Sequence, residues 1–542
     1  MKRNLKTSFL ILALTLHFYP LFSQTGYPPE LFSQAEKTNF EETTLSKDVR
    51  AFVLKLEELS ELVKIETFGH SLSGQALHLV IMANPRIDSP EEARASGKPI
   101  IYIQGNIHAG EVEGKEATMT LMREIAFENK KYLLDNQIIL FCPNFNPDGN
   151  DKLSPNNRRN QDGSPKLTGV RSTGEGFDLN REGMKLEALE AKALIKNVLN
   201  RWDPAMLVDL HTDNGSWHGY AVNYAPSYTS AGHPEPTRYT REEIFPWIQK
   251  DIMDRSGIAT WWHGYLRMRE GEKGAYTAYS HQPRYLTNYV GLRNRMGILS
   301  ESFAHQLFEK RYAATYSLIE SILRYTNDHA KEIAKMIQLA DQQTIETIKT
   351  QAGQLQKGVR YTLTKDPAFV DILVRETEIQ SSSEGRRRTR GTGKIKWEDR
   401  VRHYSSFEPI LLSTVPKAYY FSSDFIAIAE KLQEHGIKVD QLDKKVSVRG
   451  EVFLVSEFNK ASRSRYPGHK PVTLEGEFHS KKQTFRSGDF RVNLEQPLAW
   501  LIFYLLEPQS DDGLVYWNYF DEYLEEKKAG EKEVAFPIFK AY

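Results

Sequence analysis

Pro99-Ile-Ile-Tyr-Ile-Gln-Gly105 runs directly into Asn106-Ile-His108-Ala-Gly-Glu111, and this stretch indicates the fold. Its first half is a short apolar run bounded by proline and glycine, which is typical of a buried strand. A helix is predicted over Gly114–Phe127, and a second apolar strand over Ile138–Cys142. Strands that alternate with helices predict an open, largely parallel sheet, in which sites form beyond the carboxyl ends of the strands.

The same alternation continues along the chain as far as residue 345. The further elements predicted there are helices over Leu45–Leu62, Leu186–Trp202 and most of Tyr312–Gln351, a hairpin over Ile65–Asn84, and strands over Ala205–Leu210 and Gly297–Ser300. We therefore expect an α/β domain over residues 25–345, with its central sheet flanked by helices.

The composition changes near residue 350, and we expect a smaller C-terminal α/β domain over residues 350–542. The elements predicted there are extended stretches at Phe369–Ile379 and Ile410–Phe421, helices at Asp424–Gly436 and Pro497–Leu506, and strands at Ile437–Leu442 and Val446–Val455. The segment Ser381–Gly393 is rich in serine, glycine and arginine, and is interpreted as a solvated loop. The sequence does not indicate what this domain does.

The composition excludes several classes of protein. The chain has 542 residues, of which 40% are hydrophobic and 26% charged, as in an ordered globular protein. Its 71 basic and 71 acidic residues cancel, which argues against a nucleic acid or a membrane surface as the main partner. The single cysteine, Cys142, excludes an internal disulfide and thiolate-rich metal sites, so any metal must be held by histidine and carboxylate.

The first 24 residues have the pattern of a secretory signal peptide. Three positive charges, at Lys2, Arg3 and Lys6, precede an apolar run over Phe9–Phe22 that ends at the small residue Ser23. This run is shorter than the roughly 20 residues that span a bilayer. We therefore expect an exported protein, periplasmic or secreted, with no membrane span after cleavage.

Two histidines and a carboxylate are candidate metal ligands. His108 and Glu111 stand three residues apart where the chain leaves the first strand, and His211 ends another strand about a hundred residues later. Zinc in catalytic sites takes three such ligands and keeps one position open for water. The His-x-x-Glu spacing alone does not distinguish a metal site from an ordinary buried histidine.

Further polar residues point to substrate recognition and acid–base chemistry. Asn180 and Arg181 offer an amide beside a guanidinium, a pair suited to hold a carboxylate by forked hydrogen bonds. Glu301 follows an apolar strand, where a carboxylate is costly unless it has a partner or a catalytic role, so a general base is expected. Arg158 and Arg159 lie in the loop before this pair.

Taken in order, these motifs resemble the zinc metallocarboxypeptidases related to pancreatic carboxypeptidase A. The similarity covers about residues 45–325 and rests on Phe68-Gly-His-Ser71-Leu-Ser-Gly74, His108-x-x-Glu111, Asn146-Pro-Asp-Gly149, the arginine loop, Asp178-x-Asn180-Arg181, Asp209-Leu-His211 and Glu301. The resemblance implies the fold of that family, with a mixed, largely parallel central sheet. It also implies hydrolytic removal of C-terminal amino acids from peptides, by attack of a zinc-bound water assisted by a glutamate base.

The resemblance assigns a role to each site residue. One zinc ion per chain would be held by His108, Glu111 and His211, with Asp178 accepting a hydrogen bond from His108. Asn180 and Arg181 would bind the terminal carboxylate of a peptide or peptide-like substrate, and Glu301 would act as the base. Arg158 or Arg159 would stabilise the carbonyl oxygen, with Arg159 preferred because it is nearer the following Asn-Gln-Asp-Gly turn. Among the tyrosines at 276, 279, 285 and 289, the spacing best fits Tyr279 as the residue that covers the bound substrate.

Other functions remain open at this stage. Related zinc enzymes deacylate N-acyl amino acids or cut peptidoglycan stem peptides, and Asn180 and Arg181 do not choose among these substrates. A catalytically silent binding protein on the same scaffold is a further alternative. A serine hydrolase is disfavoured because the segment around Ser71 lacks the Gly-x-Ser-x-Gly spacing and is predicted to form a hairpin.

Overall fold

The computed structural model describes residues 27–161, 163, 165–213, 215–267, 274–381, 387–528 and 533–542. The predicted signal peptide, residues 1–24, lies outside the described residues. Among the described helices, none has the length and apolar character needed to cross a bilayer.

An eight-stranded mixed sheet forms the centre of the first part of the chain. The strands before residue 303 are β1 (Val63–His70), β2 (Ala76–Met82), β3 (Ile100–Gly105), β4 (Ile138–Cys142), β5 (Met206–Thr212), β6 (Val222–Pro226), β7 (Thr260–Trp262), β8 (Tyr265–Arg267), β9 (Ala275–Thr277) and β10 (Met296–Ser302). The order in the sheet is β1-β2-β4-β3-β5-β10-β6-β7. Strands β4, β3, β5 and β10 are parallel, while β1, β2 and β6 add antiparallel pairs. The predicted α/β class and the hairpin at β1–β2 are confirmed.

Helices cover both faces of this sheet. They are α1 (Gln34–Lys37), α2 (Ser46–Leu59), α3 (Pro90–Ser96), α4 (Glu113–Phe127), α5 (Pro147–Asp151), α6 (Leu189–Leu194), α7 (Pro234–Tyr239), α8 (Phe245–Ser256), α9 (Leu286–Leu292), α10 (Phe308–Asp328) and α11 (Ala330–Gln351). In α2 the buried residues Val49, Phe52, Val53 and Leu56 recur at helical spacing, which buries one face of the helix. The predicted helix over Leu186–Trp202 is shorter than expected, because it begins at Leu189 and continues from Ile195 to Leu199 as a wider π-helical turn.

Strand register brings the candidate site residues to one edge of the sheet. In the parallel pair of β5 and β10, His211 lies opposite Glu301, and in the pair of β3 and β5, Gln104 lies opposite Asp209. The chain turns sharply from β3 into α4. A Cβ atom at Gly105 would lie 2.8 Å from the backbone nitrogen of Lys115, so glycine is required for this close approach.

The C-terminal region, residues 350–542, is rich in antiparallel sheet. Its strands are β11 (Gln356–Thr364), β12 (Phe369–Ser381), β13 (Arg387–Tyr404), β14 (Ser406–Thr414), β15 (Ala418–Phe421), β16 (Asp440–Gln441), β17 (Val446–Lys460), β18 (Val472–Phe485), β19 (Phe490–Asn493), β20 (Val534–Ala535) and β21 (Phe539–Ala541). Its helices are α12 (Ile426–Glu434), α13 (Ala499–Leu506) and α14 (Asp521–Lys528). Strands β15 to β21 form a seven-stranded sheet.

The prediction of a solvated loop at Ser381–Gly393 is wrong for the described residues 387–393. Residues 387–393 belong to β13, where Thr377 lies opposite Gly391 and Glu378 opposite Arg390. Long-range pairing with β12 supplies backbone partners that the glycine- and arginine-rich composition could not reveal.

The C-terminal region is closely joined to the first part of the chain. Strand β13 continues past its hairpin and pairs in parallel with β9, with His403 opposite Tyr276. One hydrophobic cluster also runs from Leu140 and Trp202 into Trp500 and Trp517. The domain limits at residues 345 and 350 stay a prediction, and α11 extends through them to Gln351.

Candidate active site

Three side chains converge at the carboxyl edge of the central sheet. Nδ1 of His108 lies 3.0 Å from Oε1 of Glu111, Nδ1 of His211 lies 2.9 Å from Oε2 of Glu111, and the two Nδ1 atoms are 3.2 Å apart. All three side chains are buried. One ligand atom from each lies within 4.8 Å of the others, so the three residues, called the ligand cluster below, could hold a metal ion.

The local fold explains this convergence. His108 and Glu111 lie in the turn between β3 and α4, where the backbone N–H of Glu111 donates to the carbonyl of His108 over 2.8 Å. This turn places both side chains on the same side of the chain. His211 reaches the same point from the adjacent parallel strand β5.

Each imidazole has a carboxylate on its other nitrogen. Nε2 of His108 lies 3.0 Å from Oδ1 of Asp178, and Nε2 of His211 lies 2.8 Å from Oδ2 of Asp209. Asp209 is itself held by Nε2 of Gln104 at 3.0 Å. Such carboxylate partners fix the tautomer of a metal-binding histidine, leaving Nδ1 free to bind.

The groups in and around the cluster shift one another's pKa values. Burial opposes the charged form of Glu111, yet His108 and Arg158 hold the pKa of this carboxyl well below its usual value. Burial likewise opposes the imidazolium of His211, but Asp209 and Glu111 raise its pKa well above the ordinary value. The pKa of Asp178 is lowered in spite of burial, because His108 and Arg171 lie beside it.

Glu301 lies next to the cluster without a close partner. Its Oε2 atom has no hydrogen-bond partner among the described residues, and Oε1 lies 4.0 Å from Nε2 of His263. Burial raises the pKa of Glu301 well above its ordinary value; nearby His211 lowers this pKa, while Glu111 raises it further. Burial also lowers the pKa of His263 to about 4, so this imidazole is neutral near neutral pH. Glu301 is therefore a carboxylate in a site that favours proton uptake.

Comparisons with known proteins relate the first part of the chain to a known family. Residues 49–284 match the family model described as zinc carboxypeptidase. This match covers less than half of the chain, and it supports a metallocarboxypeptidase activity like that of the family it describes.

Several known proteins are similar to this chain. "Carboxypeptidase 2" of Trichophyton rubrum is 22% identical over 458 residues, covering 80% of this chain and 77% of that protein. "Probable carboxypeptidase 2" of Arthroderma benhamiae is 21% identical over 450 residues, covering 80% and 77%. Because 80% of 542 residues exceeds the number of residues before position 350, the first match extends into the C-terminal region.

Solved structures are similar over about half of the chain. A metallo-carboxypeptidase from Burkholderia cenocepacia has a TM-score of 0.40 and 18% identity, covering 52% of this chain and 69% of its own. The carboxypeptidase A from Helicoverpa armigera has a TM-score of 0.38 and 17% identity, covering 54% and 75%.

Asn180 and Arg181, called the recognition pair below, lie beside the ligand cluster. They belong to a 3₁₀ turn over Leu179–Arg181, and Nδ2 of Asn180 lies 3.4 Å from Nε2 of His211. Oδ1 of Asn180 accepts from the backbone N–H of Leu286 over 3.2 Å. The guanidinium of Arg181 lies over the ring of Tyr285, 4.2 Å from its centroid.

The structure places the side chain of Arg158, and not that of Arg159, beside the ligand cluster. Arg159 is exposed, and its Nε donates to Asn156 over 3.1 Å. Arg158 is turned the other way and its guanidinium contacts Oε1 of Glu111. Its stem lies on Gly110, where a Cβ atom would come 2.5 Å from Cγ of Arg158. Sequence position could not tell which of two adjacent loop arginines points inward.

Tyr279 is not arranged as a mobile cover for substrate. Its side chain is buried, and its hydroxyl lies 2.9 Å from Oγ1 of Thr287 and 3.3 Å from the carbonyl of Pro226. These contacts hold the hydroxyl of Tyr279 within the core. Tyr285 is half-buried, and its ring lies beneath the guanidinium of Arg181.

Sequence analysis gave no role to two further residues near the ligand cluster, Asp209 and Arg171. Asp209 lies two residues before His211 on the same strand, so the two-residue period of a strand could have placed it on the same face. Arg171 lies 2.9 Å from Asp178 and 3.8 Å from Glu111. It lies in the long stretch after α5, where no periodicity indicates an orientation.

Proposed function

We propose that the chain removes C-terminal amino acids from peptides, with one zinc ion held by His108, Glu111 and His211. The observation that carries the proposal is the convergence of the two Nδ1 atoms and the Glu111 carboxylate, with Glu301 opposite His211 in strand register. The substrate of this proposal is a peptide or peptide-like molecule with a free carboxylate.

The ligand cluster fits zinc in its donor chemistry. Zinc accepts imidazole nitrogen and carboxylate oxygen, and catalytic sites use three protein ligands. The contacts of His108 to Asp178 and of His211 to Asp209 leave both Nδ1 atoms available. When bound, the ion lowers the pKa of a water molecule and polarises the carbonyl of the bond to be cut.

Glu301 is the proposed general base. Its unpartnered Oε2 atom is available to take a proton from the attacking water, and the raised pKa allows the carboxyl to hold that proton. The carboxyl then gives the proton to the departing amine, which leaves as a neutral group. The neutral imidazole of His263 does not compete with this carboxylate for the proton near neutral pH.

The recognition pair is proposed to bind the terminal carboxylate. The guanidinium of Arg181 and the amide of Asn180 are suited to hold two carboxylate oxygens. Arg158, whose guanidinium already reaches Glu111, is proposed to offset negative charge on the carbonyl oxygen. Tyr285 is proposed to cover the substrate beside Arg181.

Export is also part of the proposal. The charged and apolar pattern of residues 1–24 supports cleavage of a signal peptide and release into a periplasmic or extracellular space. The single cysteine is compatible with such a compartment, because the fold then depends on no disulfide.

Mass spectrometry of a peptide mixture, combined with metal analysis, tests this function. We expect about one zinc per chain and stepwise loss of single residues from the C-terminus, which a chelator abolishes and added zinc restores. Peptides with an amidated C-terminus serve as the matched control, because they lack the carboxylate that Asn180 and Arg181 would bind.

Three outcomes contradict the proposal. Cleavage of amidated peptides at the same rate excludes recognition of the terminal carboxylate. Release of acyl groups from N-acyl amino acids, with peptides left intact, indicates a deacylase or amidase. Stoichiometric zinc without turnover of any substrate indicates a binding protein.

A further inference from the structure

The C-terminal region contacts the chain on both sides of the recognition pair. We propose that it positions Asn180 and Arg181 for substrate binding, with Arg284 as the central positioning residue. This inference rests on the proposed role of that pair in binding the substrate's carboxylate. It gives the C-terminal region a function that its sequence does not reveal.

The first point of contact is the segment that follows Arg181. Four consecutive residues, 184–187, each have a side-chain partner from the C-terminal region. The contacts are His435 Nε2 to the Met184 carbonyl at 3.1 Å, Tyr519 hydroxyl to the Lys185 carbonyl at 2.9 Å, Lys431 Nζ to the Leu186 carbonyl at 3.0 Å, and His469 Nε2 to the Glu187 carboxylate at 2.9 Å. A buried carbonyl that loses its donor is destabilising, so these contacts fix the path of the backbone.

The second point of contact is Arg284, in the segment that precedes α9. Its Nη2 lies 2.9 Å from Oδ1 of Asp512, and its backbone N–H donates to Oδ2 of the same carboxylate over 2.6 Å. Nη1 donates to the hydroxyl of Tyr516 over 3.1 Å and also contacts the hydroxyl of Tyr466. The guanidinium carbon lies 5.2 Å from the ring centroid of Trp517.

This arrangement buries Arg284 and Asp512 almost completely. Arg284 is 2% exposed and Asp512 is fully buried. A buried ion pair is weak evidence for stability, since desolvation offsets its attraction, but it fixes the geometry of the segments that carry it. The segment around Arg284 is therefore held in one position against the C-terminal region.

The two held segments meet directly beside the recognition pair. The carbonyl of Arg284 accepts from the backbone N–H of Gly183 over 3.0 Å. A Cβ atom on Gly183 would lie 2.3 Å from the carbonyl oxygen of Pro283, so the two segments are in close contact. On either side, Leu286 donates to Asn180 and the ring of Tyr285 lies against Arg181. Displacement of residues 283–286 would therefore change the position of both recognition side chains.

Steady-state kinetics of Arg284→Lys tests this inference in the full-length, zinc-loaded protein. The substrate is an N-benzoylglycyl amino acid carrying the C-terminal residue that the peptide mixture shows to be released fastest. We expect KM to rise about 10-fold, because the lysine ammonium cannot keep the contacts that Nη1 of Arg284 makes with both Tyr466 and Tyr516, while kcat changes by less than about 3-fold. Zinc content should not change.

Arg295→Lys is the matched control. Arg295 is also a buried arginine, held by Asp203 at 2.6 Å and by Asp341 at 2.9 Å, but it contacts neither segment. We expect its KM to match that of the unmodified protein. An equal rise of KM in both lysine variants would show that the effect comes from a general loss of stability, and would overturn the inference.

A double-mutant cycle with Arg181→Met separates this inference from the proposed function. Because Arg284 acts through Arg181 as well as Asn180, the rise of KM in the double variant should be clearly smaller than the product of the two single rises, and Arg181→Met should itself raise KM about 10-fold or more. Additive effects overturn the inference and leave the proposed function intact. An unchanged KM in Arg181→Met contradicts the proposed carboxylate recognition, and the inference then falls with it.

Tyr466→Phe provides a second test if Arg284→Lys does not fold. This change removes one hydroxyl acceptor of Arg284 and keeps the ring beside its guanidinium, 5.1 Å away. We expect a KM rise of about 2- to 5-fold at constant kcat and zinc content. No change in KM, measured on folded protein, overturns the inference.

Discussion

The ligand cluster and the recognition pair are neighbours, yet they are built differently. The cluster comes from the ends of β3 and β5, and its polar partners Asp178, Asp209 and Gln104 all lie within the first part of the chain. The recognition pair lies in a short 3₁₀ turn that contacts residues 283–286, which are in turn held by the C-terminal region. Under the proposed function, chemistry and recognition therefore depend on different parts of the molecule.

This difference has a physical basis. Adjacent parallel strands fix the relative position of their side chains through regular backbone hydrogen bonds, so residues at strand ends need little further support. A short turn has no such ladder and takes its position from whatever packs against it. Changes in the sheet should accordingly affect metal binding and kcat, and changes in the C-terminal contacts should affect KM.

The largest expected effect is that of Glu301→Gln. We expect kcat to fall about 10³-fold, because the amide cannot accept the proton of the attacking water, while zinc content and KM stay close to those of the unmodified protein. Steady-state kinetics and metal analysis measure these quantities. A loss confined to KM would show that Glu301 belongs to recognition, and the comparison above would fail.

An intermediate effect is expected for Asp209→Asn. The amide keeps the size of the side chain but is a weaker acceptor for Nε2 of His211, so zinc affinity should fall about 10- to 100-fold. Competition with a chelator measures this affinity, and KM should be unchanged once zinc is saturating. If this variant raises KM at saturating zinc, the cluster and the recognition pair are not separate units.

The smallest expected effect is that of Glu190→Gln, a change that touches neither unit. Glu190 is fully buried in α6, neither carboxylate oxygen has a hydrogen-bond partner among the described residues, and burial raises its pKa to about 7. The folded state therefore favours the neutral carboxyl. Its stabilising contribution is complete below the ordinary value of 4.5 and is lost as the pH rises through about 7.

The amide cannot ionise, so Glu190→Gln should remove this loss. The variant should gain stability over the unmodified protein between about pH 5 and about pH 8, by at most about 3 kcal/mol. Thermal unfolding at several pH values measures this gain, and kcat and KM should be unchanged. A gain that is larger at low pH has the wrong sign and contradicts the assignment. The variant also serves as a control for Glu301→Gln, because both replace a buried glutamate by glutamine.

The sequence predicted the fold class and the regular elements well where local pattern and burial agree. The apolar strands at β3, β4, β5 and β10 and the amphipathic helix α2 lie where periodicity indicates. At Arg387–Gly393 composition indicated a loop, and the chain instead forms a strand because β12 pairs with it. Pairing across a long hairpin depends on residues that a local pattern does not include.

The sequence alone predicts which residue types stand at the ends of the strands, because hydrophobic periodicity shows where each strand ends along the chain. The packing of the folded chain sets the direction of the loop side chains: Arg158 rather than Arg159 reaches Glu111, and the hydroxyl of Tyr279 is held in the core. This packing also decides that residues 184–187 and Arg284 are held by the C-terminal region. Side-chain direction in loops, and contacts between residues more than two hundred positions apart, arise from packing and leave no periodic trace in the sequence.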